Sequence, residues 1–125
     1  MRVLVVDDCA DNARLIGLFL RHRGHEVELA RDGAEAMARA VADRPGAVLL
    51  DLGLPDRDGV EVAHALRAAG LAAVLVAVSG RRLEPLDPAF DAQFTKPVDL
   101  DALADLLAGS GPVAGFPRAD APPAV

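Results

Sequence analysis

Five apolar runs recur along the chain at short intervals. Val3 to Asp7 is a continuous run that ends in acid, and Ala47 to Asp51 repeats the pattern. Both predict buried strands whose C-terminal ends carry carboxylates, because a strand covered on both faces reads as an unbroken apolar segment. Val27 to Ala30 and Ala73 to Val78 predict two more strands, and Ala92 to Thr95 a shorter fifth.

Helical spacing fills the intervals. Leu15, Ile16, Phe19 and Leu20 share one face of a first helix, which His22 to Gly24 closes, with Gly24 suited to the left-handed turn that ends a helix. Ala34, Met37, Ala38 and Val41 keep the i, i+3, i+4, i+7 pattern after Asp32, an N-cap, and Pro45 ends that segment. Val60, Ala63 and Leu66 follow Asp58-Gly59, and Leu100, Leu103 and Leu107 follow Asp99. The interval before the fifth strand differs. Pro85 and Pro88 lie inside it, so a regular helix cannot run through, and Asp87 to Phe90 makes a single turn at best.

Such β-α alternation in a short chain predicts one parallel sheet with right-handed crossovers and helices on both faces, a doubly wound three-layer α/β domain. We expect strand order 2-1-3-4-5, with the fourth helix shortened or missing. Ligands of such sheets bind outside the carboxyl ends of the strands. The domain is expected over residues 1–108. Residues 109–125 hold four Pro and three Gly without periodicity and read as a flexible tail, with no linker toward an effector domain.

Composition narrows the picture. At 125 residues there is room for one domain. With four Phe and no Trp or Tyr, the core must be built from Val, Leu, Ile and Ala. A net charge of −6 and a pI near 4.9 give no basic footprint for nucleic acid or for an anionic membrane, so neither is an expected direct partner. The single Cys9 excludes an intramolecular disulfide, and there is neither an apolar leader nor an 18-residue apolar span. A cytoplasmic protein is expected.

The candidate chemistry lies at the strand ends. Asp7 and Asp8 end the first strand and Asp51 the third, so a parallel sheet brings three carboxylates to one edge. Like charges so close repel, which a hard cation among them relieves, and Mg²⁺ (or Mn²⁺) suits such oxygen donors. Taken alone, the acid pair serves equally well to cap the following helix, for which Asp8 is well placed. Ser79 ends the fourth strand and Lys96 the fifth, followed by Pro97. A hydroxyl and an ammonium opposite a metal and an aspartate are what phosphoryl transfer to a carboxylate requires. Singly, Ser79 reads as a turn residue and Lys96 as a solvated charge. Cys9 reads as a structural cysteine, His22, His25 and His64 have no metal-ligand spacing among themselves, and Arg81 and Arg82 read as a solvated pair.

Val-Leu-Val-Val-Asp-Asp at 3–8, Asp-Leu-Gly-Leu-Pro-Asp-Arg-Asp-Gly at 51–59, Val-Ser-Gly at 78–80 and Lys-Pro at 96–97 stand in one order. In this the chain resembles the receiver domain of two-component response regulators, most like those that stand alone or belong to hybrid sensor kinases. The resemblance implies a flavodoxin-like (βα)5 fold and a signalling switch rather than a metabolic enzyme. It implies Asp51 as phospho-acceptor, Asp8 as a direct metal ligand, Asp7 as a ligand through water and the Gly53 backbone carbonyl as a further ligand. Ser79 would be the hydroxyl switch, Lys96 the phosphate partner and Pro97 the second residue of a cis bond. A histidine kinase or a histidine phosphotransfer protein would supply the phosphoryl group, and an output protein would read it.

Two features depart from the family. The aromatic residue usual three positions before the Lys is Gln93 here, and Phe94 cannot substitute because strand neighbours point to opposite faces. Ser79 and Lys96 are also closer together than usual, by about a turn and a half of helix. A short loop in place of a helix is expected to make fewer packed apolar contacts, and output is expected to avoid the usual surface. Two alternatives stand beside this reading. One is a phosphorylation-blind interaction module. The other is a small aspartyl-phosphate phosphatase, which would want Asp-x-Asp where the acids here are adjacent.

Overall fold

A computed structural model describes residues 1–109; the predicted tail falls outside the described residues except for Gly109. Strands β1 (Arg2–Val6), β2 (Glu26–Ala30), β3 (Ala47–Asp51), β4 (Val74–Ser79) and β5 (Ala92–Thr95) form one sheet in the order β2-β1-β3-β4-β5. Every pairing is parallel, as the alternation predicts. Helices α1 (Ala10–His22), α2 (Gly33–Asp43), α3 (Gly59–Ala68) and α4 (Leu100–Ala108) connect or follow the strands. Among the described residues no helix joins β4 to β5. A single turn at Asp87 to Phe90 stands there, closed by the Phe90 amide on the Asp87 carbonyl at 3.0 Å.

Each strand splits its side chains between two apolar layers. Leu4, Val6, Val48, Leu50, Leu75 and Ala77 face α2, α3 and the β4–β5 loop. Val3, Val5, Leu49, Val74, Val76 and Ala92 face α1 and α4. β3 is buried along its whole length because strands flank it and helices cover both faces.

The predicted faces of α3 and α4 pack on the core, whereas the buried faces of α1 and α2 differ from the predicted ones, α1 only in part. In α1 the buried residues are Ala13, Ile16, Gly17 and Leu20, whereas Leu15 and Leu18 are exposed. In α2 they are Gly33, Ala36 and Ala40, whereas Ala34, Ala38 and Val41 are exposed. The small residues face inward so that the helices lie close on the sheet: a Cβ at Gly17 would sit 3.3 Å from both Val27 and Leu29. Asp32, Asp58 and Asp99 cap α2, α3 and α4 through bonds to Glu35, Val60 and Ala102 amides. Gly24, at φ +91°, makes the left-handed turn after α1. Among the described residues no helix is long and apolar enough to cross a membrane.

Candidate functional site

β1 and β3 are neighbours in the sheet, so the residues at their carboxyl ends meet. Oxygen atoms of Asp7, Asp8 and Asp51 lie within 4.8 Å of one another. Asp7 and Asp51 are buried, at 2% and 5% exposure, while Asp8 is exposed. Asp7 cannot turn away, because one oxygen accepts from the Cys9 amide at 2.9 Å and the other from the Asn12 side chain at 3.0 Å. Burial, joined by the Asp51 charge, holds the Asp7 carboxyl above the usual carboxylate range, against the lowering effect of Cys9, Asn12 and Lys96. All the side-chain donors are hard oxygens, and the crowding is what a divalent cation relieves, so the residues fit magnesium.

Lys96 enters this cluster from the end of β5. Its Nζ stands 3.0 Å from Asp51 Oδ2 and 3.9 Å from Asp7 Oδ2. Burial pushes its pKa down, but the hydrogen bond and charge of Asp51, with the charges of Asp7 and Asp8, more than offset this and leave it raised. The ammonium therefore stays charged beside Asp51. The Lys96-Pro97 bond is cis, as the resemblance implies. Ser79 is in register with Thr95 at the end of β4, and its hydroxyl donates to the Arg81 carbonyl.

The segment between β3 and α3 is held at several points. Asp51 Oδ1 accepts from the Gly53 amide at 3.0 Å, and the Leu52 amide donates to Val78 at 3.0 Å. Gly59 admits no side chain: a Cβ there would stand 2.7 Å from Leu52 Cα and 2.9 Å from the Asp51 carbonyl. Only glycine lets α3 start so close to the end of β3. Further out, Asp56 accepts from the Gly33 and Ala34 amides at 2.8 and 3.1 Å. The Gly33 bond is the largest influence on the Asp56 carboxyl and holds it below its usual range, with Ala34 acting in the same sense.

The β4–β5 loop is better packed than expected. It buries Leu86, Ala89 and Phe90 against the inner layer, which fill space that a helix would otherwise cover. Gln93, 5% exposed, accepts from the Leu83 amide at 2.7 Å and donates to the Leu83 carbonyl at 2.9 Å. Phe94 packs in the opposite layer, as strand alternation requires. Arg67 of α3 donates to the Ala89, Leu71 and Ala73 carbonyls and pairs with Asp91 at 2.9 Å. Asp91 in turn accepts from the Leu75 amide.

The structure thus gathers Asp7, Asp8, Asp51 and Lys96, and sets Ser79 at the next strand end with its hydroxyl engaged by the loop. Asn12, Asp56, Arg67 and the Gln93 clasp escaped the sequence reading. Their roles depend on contacts 5 to 24 positions apart that no local pattern displays.

A doubly wound α/β domain with an acid cluster and a lysine at the carboxyl edge of its sheet defines a class. The family model of the response regulator receiver domain matches residues 3–108, and the chain belongs to that family. Its place is in two-component signalling. It is 37% identical over 108 residues to response regulator MprA of Mycobacterium avium, covering 82% of this chain and 47% of that protein. It is 40% identical over 112 residues to transcriptional regulatory protein PrrA of Mycobacterium bovis, covering 86% of this chain and 47% of that protein. The chain spans about half the length of these curated relatives. Among solved structures, a CheY-like receiver domain from Methanospirillum hungatei superposes with a TM-score of 0.80 at 26% identity, covering 86% of this chain and 90% of that one. Response regulator TrrA of Thermotoga maritima, in complex with Mg²⁺-BeF, gives 0.78 at 27%, covering 86% and 96%.

Proposed function

We propose that this chain is a phosphorylation-dependent switch whose acceptor is Asp51. The observation that carries the reading is the Lys96 ammonium 3.0 Å from a buried Asp51 that shares its site with two further carboxylates. Asp7, Asp8 and Asp51, with the Gly53 carbonyl, would hold Mg²⁺ (or Mn²⁺). The cation supplies neutralisation of phosphoryl oxygens and of the acid cluster. One Asp51 oxygen attacks phosphorus as the bond to the donor's imidazole nitrogen breaks, and that nitrogen keeps the electron pair. Lys96 exchanges its contact with the carboxylate for one with a phosphoryl oxygen. The new group competes with the Arg81 carbonyl for the Ser79 hydroxyl, so modification is read as a shift of the residues after β4.

A histidine kinase or histidine phosphotransfer protein in the cytoplasm is the proposed donor. Its docking face is α1, beside the acid cluster, where exposed Leu15 and Leu18 join Phe19 and Leu100 in an apolar groove. The test is intact-mass measurement after incubation with a small phosphodonor and Mg²⁺. The parent gains one base-labile phosphoryl group and Asp51→Asn gains none. Uptake by the Asn protein refutes the assignment.

A further inference from the structure

Asp56 lies in the exposed part of the β3–α3 loop, yet both of its carboxylate oxygens are engaged by another element. Oδ1 accepts from Gly33 at 2.8 Å and Oδ2 from Ala34 at 3.1 Å, the first two residues of α2. Asp32 Oδ1 accepts from the third amide, that of Glu35, at 2.8 Å. The start of α2 is therefore fully used by two carboxylates of this chain, one of them from 22 to 23 positions away. Next to it, Arg57 lies over Gly33 so closely that a Cβ there would stand 2.6 Å from the Arg57 Cδ.

The loop so anchored is the one that bears Gly53. Its inner end is fixed by the Asp51 side chain on the Gly53 amide and by the close approach of Gly59 to Leu52. Leu54 is tucked into the core, but Pro55, Asp56, Arg57 and Asp58 are exposed and have no such packing. Among the described residues, the Asp56 fork is the contact that ties this outer half to the rest of the fold, apart from Arg57 on Gly33 and the Asp58 cap on α3. Two parallel charge-assisted bonds fix both the position and the orientation of the segment they hold.

We infer that Asp56 is a positioning residue for the divalent cation: by gripping the start of α2 it holds the β3–α3 loop where the Gly53 carbonyl completes the acid cluster. The inference rests on the metal reading of Asp7, Asp8 and Asp51 and on the Gly53 carbonyl as the further ligand proposed above. Asp56 touches neither metal nor phosphoryl group; it acts through the loop. Outer contacts of this kind govern metal affinity by about 10-fold or more when removed. The same link makes α2 sense the ion, because a loop drawn onto the cation pulls on the Gly33 and Ala34 amides.

The test is a Mg²⁺ titration of the isotope-labelled protein followed by amide resonances. In the parent, Gly53, Gly33 and Ala34 shift together with one midpoint. In Asp56→Asn, which loses the charge and one acceptor, the Gly53 midpoint rises by about 10-fold, and Gly33 and Ala34 no longer follow it. Asp56→Ser, with one short acceptor, gives the same pattern and guards against a variant-specific artefact. A parent without saturable shifts overturns the metal reading and this inference with it. A parent that binds, together with variants that melt earlier but keep the parental midpoint, overturns the positioning role alone.

Discussion

A neutral amide at residue 93 performs a task that an aromatic ring cannot. The Gln93 side chain offers one acceptor and two donors, and the Leu83 peptide groups take one of each. The residue is therefore a clasp between β5 and the loop that follows Ser79. Read from the sequence, Gln93 registered only as the loss of an aromatic lever, because nothing local shows that Leu83 will lie opposite. Gln93→Leu keeps the volume and removes both bonds, leaving two Leu83 groups without partners at a part-buried site. We expect a loss of about 1–3 kcal/mol, read as a lower Tm, with faster hydrogen exchange at the Leu83 amide. An unchanged Tm and exchange rate would show that the clasp contributes nothing.

Between elements, small residues and one arginine settle what periodicity left open. In α2 the set Ala34, Met37, Ala38, Val41 and the set Gly33, Ala36, Met37, Ala40 have the same spacing, one position apart. An alanine-rich helix thus presents two equivalent faces to a pattern search. Packing decides between them, since Gly33, Ala36 and Ala40 are the residues that let the helix approach the sheet. In α1 the same rule turns Ala13 and Gly17 inward and leaves Leu15 and Leu18 exposed. Arg67 ties the β4–β5 loop to α3 through the Ala89 carbonyl and Asp91, and the same guanidinium holds the Leu71 and Ala73 carbonyls of the α3–β4 connection. Arg67→Ala strands these groups and is expected to cost about 3 kcal/mol, a fall in Tm of roughly 12–24 °C. Arg67→Lys should recover little of it, because a single ammonium cannot reach acceptors so dispersed. A lysine variant that melts with the parent would show the fork to be dispensable.

At the scale of the molecule, sheet order and the acid edge were legible because they follow from alternation and from the residues that end each strand. The missing helix was legible from two prolines. The packing of the loop in its place was not, since Leu86, Ala89 and Phe90 keep i, i+3, i+4 spacing over only one turn interrupted by Pro88, too short a pattern to announce a buried face, yet all three are buried. That packing bears on assembly. A stable interface needs about 800 Å² per partner with an apolar centre. Between β4 and β5 the side chains of Leu86, Ala89 and Phe90 are turned inward, and the exposed positions are Gly80, Arg81, Arg82, Glu84, Pro85 and Pro88. The loop is further tied down by Gln93, Arg67 and a His64–Asp87 contact of 2.9 Å. Such a surface has little to offer a second copy, before or after modification. Among the described residues the exposed large apolar side chains lie elsewhere: Leu15 and Leu18 on α1, Val41 on α2 and Met1. We therefore expect phosphorylation to leave the chain monomeric, with its signal expressed in the availability of the phosphoryl group or in a partner that docks on α1 and the loop around Pro97. Molar mass in solution, measured with and without Mg²⁺ and a beryllofluoride mimic, should be that of one chain in both states. A tight dimer that forms only with the mimic, and that protects residues 82–94 from hydrogen exchange, would overturn this expectation and restore the β4–β5 side as the output surface.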